Sequence, residues 1–181
     1  MKDVFERLYE EYHQPLFQFI FYMVRNKEAA EDIVQEVYIK VMKAYSSFAG
    51  KSSEKTWLFS IARHVTIDWL RKQNRRKKRV LFFSIGESED RLVQNDPLPD
   101  EFLTQKESVK ELYHALYKCT LPQQQVIVLR YIQSLSIAET AAVLGWTESK
   151  VKTTQHRAIK GLKSFLDETP GLKEEWKDGV I

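Results

Sequence analysis

The densest chemistry in the sequence is the run RKQNRRKKR, Arg71 to Arg79, which places seven cations in nine residues. A helix C-terminus welcomes two or three cations through its dipole, each worth a few tenths of a kcal/mol. Seven repel one another unless a polyanion is present, so the run, Arg71, Arg75 and Arg76 among it, points to phosphate contact. A second cationic set lies in TESKVKTTQHRAIKGL, Thr147 to Leu162. There Val151, Ala158 and Leu162 share the side of a helix that would be buried. Ser149, Lys150, Lys152, Thr153, His156, Arg157 and Lys160 remain outside, with no acid among them after Glu148. Arg and Lys can donate to guanine edges, Thr and His can contact bases or phosphates, and the rest can position the helix.

Two smaller sets accompany these. Arg63, His64 and Ile67 form an outward strip beside the segment FAGKSSEK, in which Gly50, Lys51, Ser52 and Ser53 make a small, hydroxyl-rich loop. Such a loop next to a basic helix can accept an unpaired base and is too polar to be core. Asp32, Gln35 and Glu36 fall at i, i+3 and i+4, opposite much of the apolar stripe of their helix. Two readings are open for them: a docking face for a protein partner, or solvated surface with Glu36 paired to Lys40.

The elements that must hold these residues read as helices. Phe5, Leu8, Tyr9 and Tyr12 recur at helical spacing, Pro15 marks a new first turn, and Leu16, Phe19, Ile20 and Met23 follow. Asn26 can cap the next helix, with Ile33, Val37, Val41 and Tyr45 along its stripe. After the loop, with Ser52 or Ser53 as N-cap, a long helix runs from about Glu54 towards Arg79 on Leu58, Ile61, Val65 and Trp69. From about Leu81 to Thr104 the periodicity fails, in a stretch with Gly and two prolines. Helix resumes at Lys106 through Val109, Leu112, Tyr113 and Leu116. A further helix opens at Thr120-Leu121-Pro122, carrying Val126, Ile127, Leu129 and Tyr131. In the pair beyond it, Ile137, Ala141 and Leu144 share one face, Gly145 can end the first helix in the left-handed conformation, and Thr147 can cap the second. This is the pattern of a helix-turn-helix, although Trp146 stands at a turn position that more often holds a small aliphatic residue. No period-two alternation predicts strands. The fold class expected is all-α: two small helical domains joined by a flexible acidic linker.

Charge follows the same division. Residues 1–82 hold 16 Lys/Arg against 10 Asp/Glu, residues 83–105 hold 1 against 6, and residues 106–181 hold 11 against 9. Such asymmetry reports partners rather than fold. The apolar stretch LFQFIFYMV is about half the length that a bilayer crossing needs, and the N-terminus lacks a secretory pattern. One cysteine, Cys119, excludes an internal disulfide and fits a reducing compartment, so a cytoplasmic place is expected. An enzyme is not expected. His13, His64, His114 and His156 are scattered without metal-ligand spacing, no Gly-rich phosphate loop exists, and Cys119 has no evident base. Neither a metal nor a cofactor is expected.

Read together, the chain resembles a bacterial sigma factor of the extracytoplasmic-function group, the two-domain type. AEDIVQEVYIKVMKAYSSF is similar to that family's core-polymerase-binding helix, KTWLFSIARHVTIDWLRK to its −10 recognition helix, and LPQQQVIVLRYIQSLSIAETAAVLGWTESKVKTTQHRAIKGLK to its −35 domain. The resemblance implies a region 2-like domain over 1–82, a linker over 83–105, a region 4-like domain over 106–168 and a tail over 169–181. It implies that the protein carries core RNA polymerase to promoters and helps open the duplex. Asp32, Gln35 and Glu36 match the contact with the polymerase clamp. Gly50, Lys51, Ser52 and Ser53 match the loop that captures a flipped base. Arg63, His64 and Ile67 fall on the adjoining −10 surface, with His64 where many relatives have Asn. Lys152, Thr153, His156 and Arg157 match the −35 contacts. Trp57 matches a frequent Trp whose role, packing or melting, stays open. The acidic linker resembles a segment that threads towards the polymerase active site. An anti-sigma partner, often membrane-anchored, is implied as well, with no homo-oligomer required and no direct membrane insertion. The competing expectation is a dimeric helix-turn-helix regulator that works without polymerase on a palindromic site.

Overall fold

The computed structural model describes residues 2–83 and 115–167. The acidic linker, the helix expected over 106–114 and the C-terminal tail therefore fall outside the described residues, apart from the end of that helix at 115–118. The chain divides into two compact units, Met1–Asp96 and Pro97–Ile181. Every regular element among the described residues is helical.

In the first unit, α1 (Lys2–Val24), α2 (Lys27–Ala44) and α3 (Glu54–Phe83) each pack on the other two. A short 3-10 turn, Tyr45–Ser47, extends α2. Their shared core is Leu8, Leu16, Phe19, Ile20, Ile33, Val37, Val41, Leu58, Phe59 and Ala62, all essentially inaccessible to solvent. The rings of Phe19 and Phe59 meet with centroids 5.4 Å apart, joining α1 to α3. Pro15 does not start a new helix: it lies inside α1. A proline there forfeits one backbone hydrogen bond. The buried stripe, however, runs through it unbroken, with Leu8 and Tyr12 before it and Leu16 and Phe19 after it. Tertiary burial along one continuous face outweighs the local cost. Asn26 caps α2 as its type predicts, its Oδ1 accepting the Ala29 amide at 2.7 Å.

In the second unit, α4 (Leu121–Ile127) runs into a π-helical turn, Val128–Ile132, followed by α5 (Ile137–Leu144) and α6 (Glu148–Asp167). The sequence pattern predicts one helix through Tyr131; the structure widens its last turn, so Gln133 N–H reaches the Val128 carbonyl at 2.9 Å. Ser136 and Glu139 form a capping box that opens α5, with Oγ accepting the Glu139 amide at 3.1 Å and the carboxylate accepting the Ser136 amide at 2.8 Å. Gly145 ends α5 at φ +63°, and the Trp146 amide turns back to the Ala141 carbonyl at 2.9 Å. A Cβ at Gly145 would meet nothing within 4 Å, so only the backbone conformation demands glycine. Gly145→Ala is accordingly expected to destabilise this unit by about 1–2 kcal/mol without disturbing its packing, measured by urea unfolding.

Among the described residues, no helix is long and apolar enough to cross a membrane, and no cluster of His, Cys, Asp and Glu is placed to hold a metal.

Candidate nucleic-acid interface

The first cationic face is built on α3. Ser53 opens this helix: its Oγ accepts the Thr56 amide at 3.1 Å, and its carbonyl accepts the Trp57 amide at 3.0 Å. Of the two serines offered as the cap, Ser53 therefore takes the position. The loop before it holds Gly50 at φ +65°, and Gly50, Lys51, Ser52 and Ser53 are all exposed. Its base is fixed on two sides. Phe48 lies against Trp57 with ring centroids 4.8 Å apart, and Tyr45 stands edge-on to Trp57 at 6.1 Å. Trp57 thus packs under the loop.

Further along α3, Arg63 is half-buried, His64 exposed and Ile67 half-buried. His64 is oriented by its own helix, Nδ1 donating to the Ser60 carbonyl at 2.7 Å, which leaves Nε2 as the other polar atom of an exposed ring. Arg63 has a buried Nε without a hydrogen-bond partner, and no carboxylate of the described residues pairs with it. Desolvation, and then the charge of Arg71, lower its pKa, so its cationic form is destabilised where it sits. An anion arriving at this strip would relieve that cost. Arg71 is 3.4 Å from Asp68 in a solvent-exposed pair, while Arg75 and Arg76 are exposed with no partner among the described residues.

The second cationic face is on α6. Val151, Ala158 and Leu162 are buried against the rest of the unit. Ser149, Lys150, Lys152, Thr153, His156 and Arg157 are all exposed, as is Lys160. Two of these are already engaged. Thr153 Oγ1 donates back to the Ser149 carbonyl at 3.0 Å. Lys150 lays its ammonium 4.2 Å from the centre of the Trp146 ring. Trp146, the odd residue at the turn, is therefore the seat of a lysine. Behind the face, Gln155 receives a bond from Arg130 Nε at 3.1 Å and gives one to Tyr131 Oη at 2.9 Å, tying α6 to the π turn. Arg130 also donates to the Leu135 carbonyl.

The acidic set lies on α2. Asp32, Gln35 and Glu36 are all exposed, and Glu36 pairs with Lys40 at 3.1 Å. Beside Gln35 runs an apolar groove lined by Phe5, Tyr9, Tyr38, Ile39 and Met42, with Ile39 55% exposed. Its residues come from the start of α1 and the second half of α2, two consecutive helices that fold back on each other, which is why spacing along α2 alone does not reveal it.

A helix-turn-helix unit and a second helical unit, each with an exposed cationic face, define a DNA-binding protein. Residues 8–76 match sigma-70 region 2 and residues 111–162 match sigma-70 region 4. The chain is 51% identical over 181 residues to the ECF RNA polymerase sigma factor SigX of Bacillus subtilis, covering all of this chain and 91% of that protein. It is 35% identical over 174 residues to the RNA polymerase sigma factor YlaC of the same organism, covering 96% and 97%. The chain belongs to the ECF sigma factors of the sigma-70 family. The fold is also that of two solved proteins. The sigma factor RpoE of Bartonella quintana, in complex with the anti-sigma factor NepR, matches with a TM-score of 0.73 at 23% identity, covering 92% of this chain and 98% of that one. CnrH, in complex with the cytosolic domain of CnrY, matches with a TM-score of 0.66 at 21% identity, covering 93% and 91%.

Proposed function

We propose that the protein is a promoter-directing initiation factor: it binds core RNA polymerase and brings it to promoters by reading −10 and −35 elements. One observation carries this reading. Each unit presents an exposed cationic face, and the two faces fall inside the two matched sigma-70 regions.

On this reading the loop Gly50, Lys51, Ser52, Ser53 receives an unpaired −10 base, and Arg63, His64 and Ile67 form the adjoining surface. Arg71, Arg75 and Arg76 contact phosphates: Arg75 and Arg76 have no partner among the described residues, and the exposed pair of Arg71 with Asp68 is weak enough to yield to one. In the second unit Lys152, His156 and Arg157 reach into the −35 major groove, with Ser149, Lys150 and Thr153 at the N-terminal end of the same helix. Lys150, held over Trp146, adds its positive charge beside them. The exposed Asp32, Gln35 and Glu36 dock on polymerase, and the apolar groove next to Gln35 extends that surface. Acids on α2 and cations on α3 keep the protein-binding and DNA-binding faces chemically distinct. Polymerase holds both DNA-reading units at once, so a dimer is not required.

The protein is not an enzyme on this reading. Its place is cytoplasmic, where core polymerase works. An anti-sigma protein is its regulatory partner, as in the complexes of RpoE with NepR and of CnrH with CnrY; a membrane-anchored partner of that kind would hold it at the membrane.

The test is transcription in vitro with bacterial core polymerase on sheared genomic DNA, with and without the protein. Discrete starts that require the protein are expected and would yield its promoter motif; no starts with folded protein would reject the reading. On a promoter so mapped, Arg157→Ala is expected to cost about 1–3 kcal/mol of holoenzyme affinity. Undiminished promoter use by that variant would remove Arg157 from the contacts.

A further inference from the structure

Glu54, the first residue of α3, sits directly after the loop that holds Gly50 to Ser53, and its carboxylate is fully engaged. Oε2 accepts from Arg7 Nη1 at 2.8 Å, and Oε1 accepts from Arg7 Nη2 at 2.8 Å and from Tyr45 Oη at 2.6 Å. Arg7 Nη2 also lies 3.3 Å from Tyr45 Oη. These three residues come from three places: α1, the turn that ends α2, and the start of α3. The bond from Tyr45 to Glu54 joins the two ends of the loop directly, and Arg7 fixes both ends to α1.

The loop itself has little else to set its shape. A Cβ at Gly50 would meet nothing within 4 Å, and Ala49 to Ser53 are exposed. Its order comes from its ends: the Phe48–Trp57 stack on one side and this polar triad on the other. As a source of stability the triad counts for little, because the Arg7 side chain is 46% exposed and that of Glu54 25%. Its geometry is another matter, since a bidentate arginine–carboxylate pair fixes direction as well as distance. The pairing also neutralises an anion placed beside a surface that meets phosphates. Hydrogen bonds from Arg7 and then Tyr45 hold the Glu54 carboxyl below the usual carboxylate range.

We propose that Arg7, Tyr45 and Glu54 are positioning residues for −10 recognition, a clasp that sets the shape of the base-capturing loop without touching DNA. The inference rests on the reading of that loop given above. It makes base selectivity, rather than stability or polymerase binding, the property that depends on the clasp.

The test measures binding of the protein, assembled with core polymerase, to a single-stranded oligonucleotide carrying the non-template −10 bases of a promoter mapped as above. Each base is substituted in turn to find the one the loop selects. In Arg7→Ala the preference for the right base is expected to fall about tenfold, while affinity for core polymerase and for −35 duplex stays within about twofold. Tyr45→Phe, which keeps the ion pair, is expected to lose less. The charge reversal Arg7→Glu with Glu54→Arg is expected to restore most of the preference that either single change removes. Undiminished base preference in Arg7→Ala would overturn the clasp and leave the loop assignment standing. Equal weakening for right and wrong bases, with no recovery in the reversed pair, would also overturn it. No base preference in the unaltered protein would overturn the loop reading itself, and the clasp with it.

Discussion

Phe19→Ala is expected to destabilise the first unit by about 3–5 kcal/mol and leave the second as it was. Phe19 is completely buried, touches Phe59 across the α1–α3 contact, and belongs to the one core that the three helices share. Truncating such a residue costs about 3–5 kcal/mol through lost burial and the cavity left behind. A small domain has a total margin of about 5–15 kcal/mol, so this change takes a large share of it. Hydrogen exchange read by segment is the measurement. Amides of α1, α2 and α3 should lose protection, while those of α4, α5 and α6 keep theirs, because Phe19 belongs to the first compact unit and they belong to the second. Full protection throughout α1 to α3 would show that the core repacks and that Phe19 is not its keystone.

Asp32→Lys combined with Glu36→Lys is expected to weaken binding to core polymerase strongly while leaving the fold intact. Both side chains are exposed, and the Glu36–Lys40 pair that is lost is worth about 0.3–0.5 kcal/mol, so helicity and melting should barely move. At an interface the same reversal juxtaposes like charges and strands the partner groups, a cost of about 2–5 kcal/mol for each desolvated pair. Affinity for core polymerase is therefore expected to fall by at least about a hundredfold. A folded double variant that binds core polymerase normally would take these two acids out of the docking face, leaving the apolar groove at Ile39 and Met42 as the alternative anchor.

What could be read from the sequence was what is local. The Asn26 cap, the left-handed Gly145 and the buried Val151, Ala158 and Leu162 each depend on residues within a few turns, and each is found where its type and spacing predict it. Pro15 shows the limit of that logic: its local preference to begin a helix yields to a buried face that continues on both sides of it. The widened turn at Val128–Ile132 has no marker in the side-chain pattern, since one added residue per turn leaves the apolar residues still mostly inward. The residues proposed for the interface stand out in sequence because like charge without compensation is visible as composition. The groups that support them do not. Arg7 and Glu54 are 47 residues apart and meet only because α1 packs beside the start of α3. Trp146 shows the converse, a residue that looks out of place in a turn until its ring is seen beneath Lys150.

On the proposed function, two DNA-reading units work as one only when polymerase holds them. The most direct measurement is the affinity of the protein for promoter duplex with and without core polymerase, at one fixed salt concentration. Joining two modest contacts on a common scaffold raises affinity about 10²–10⁴-fold with no new contact needed, so a gain in that range is predicted, from a free protein that binds weakly as a monomer. Tight binding by the free protein to a palindromic site, as a dimer and unchanged by polymerase, would contradict it.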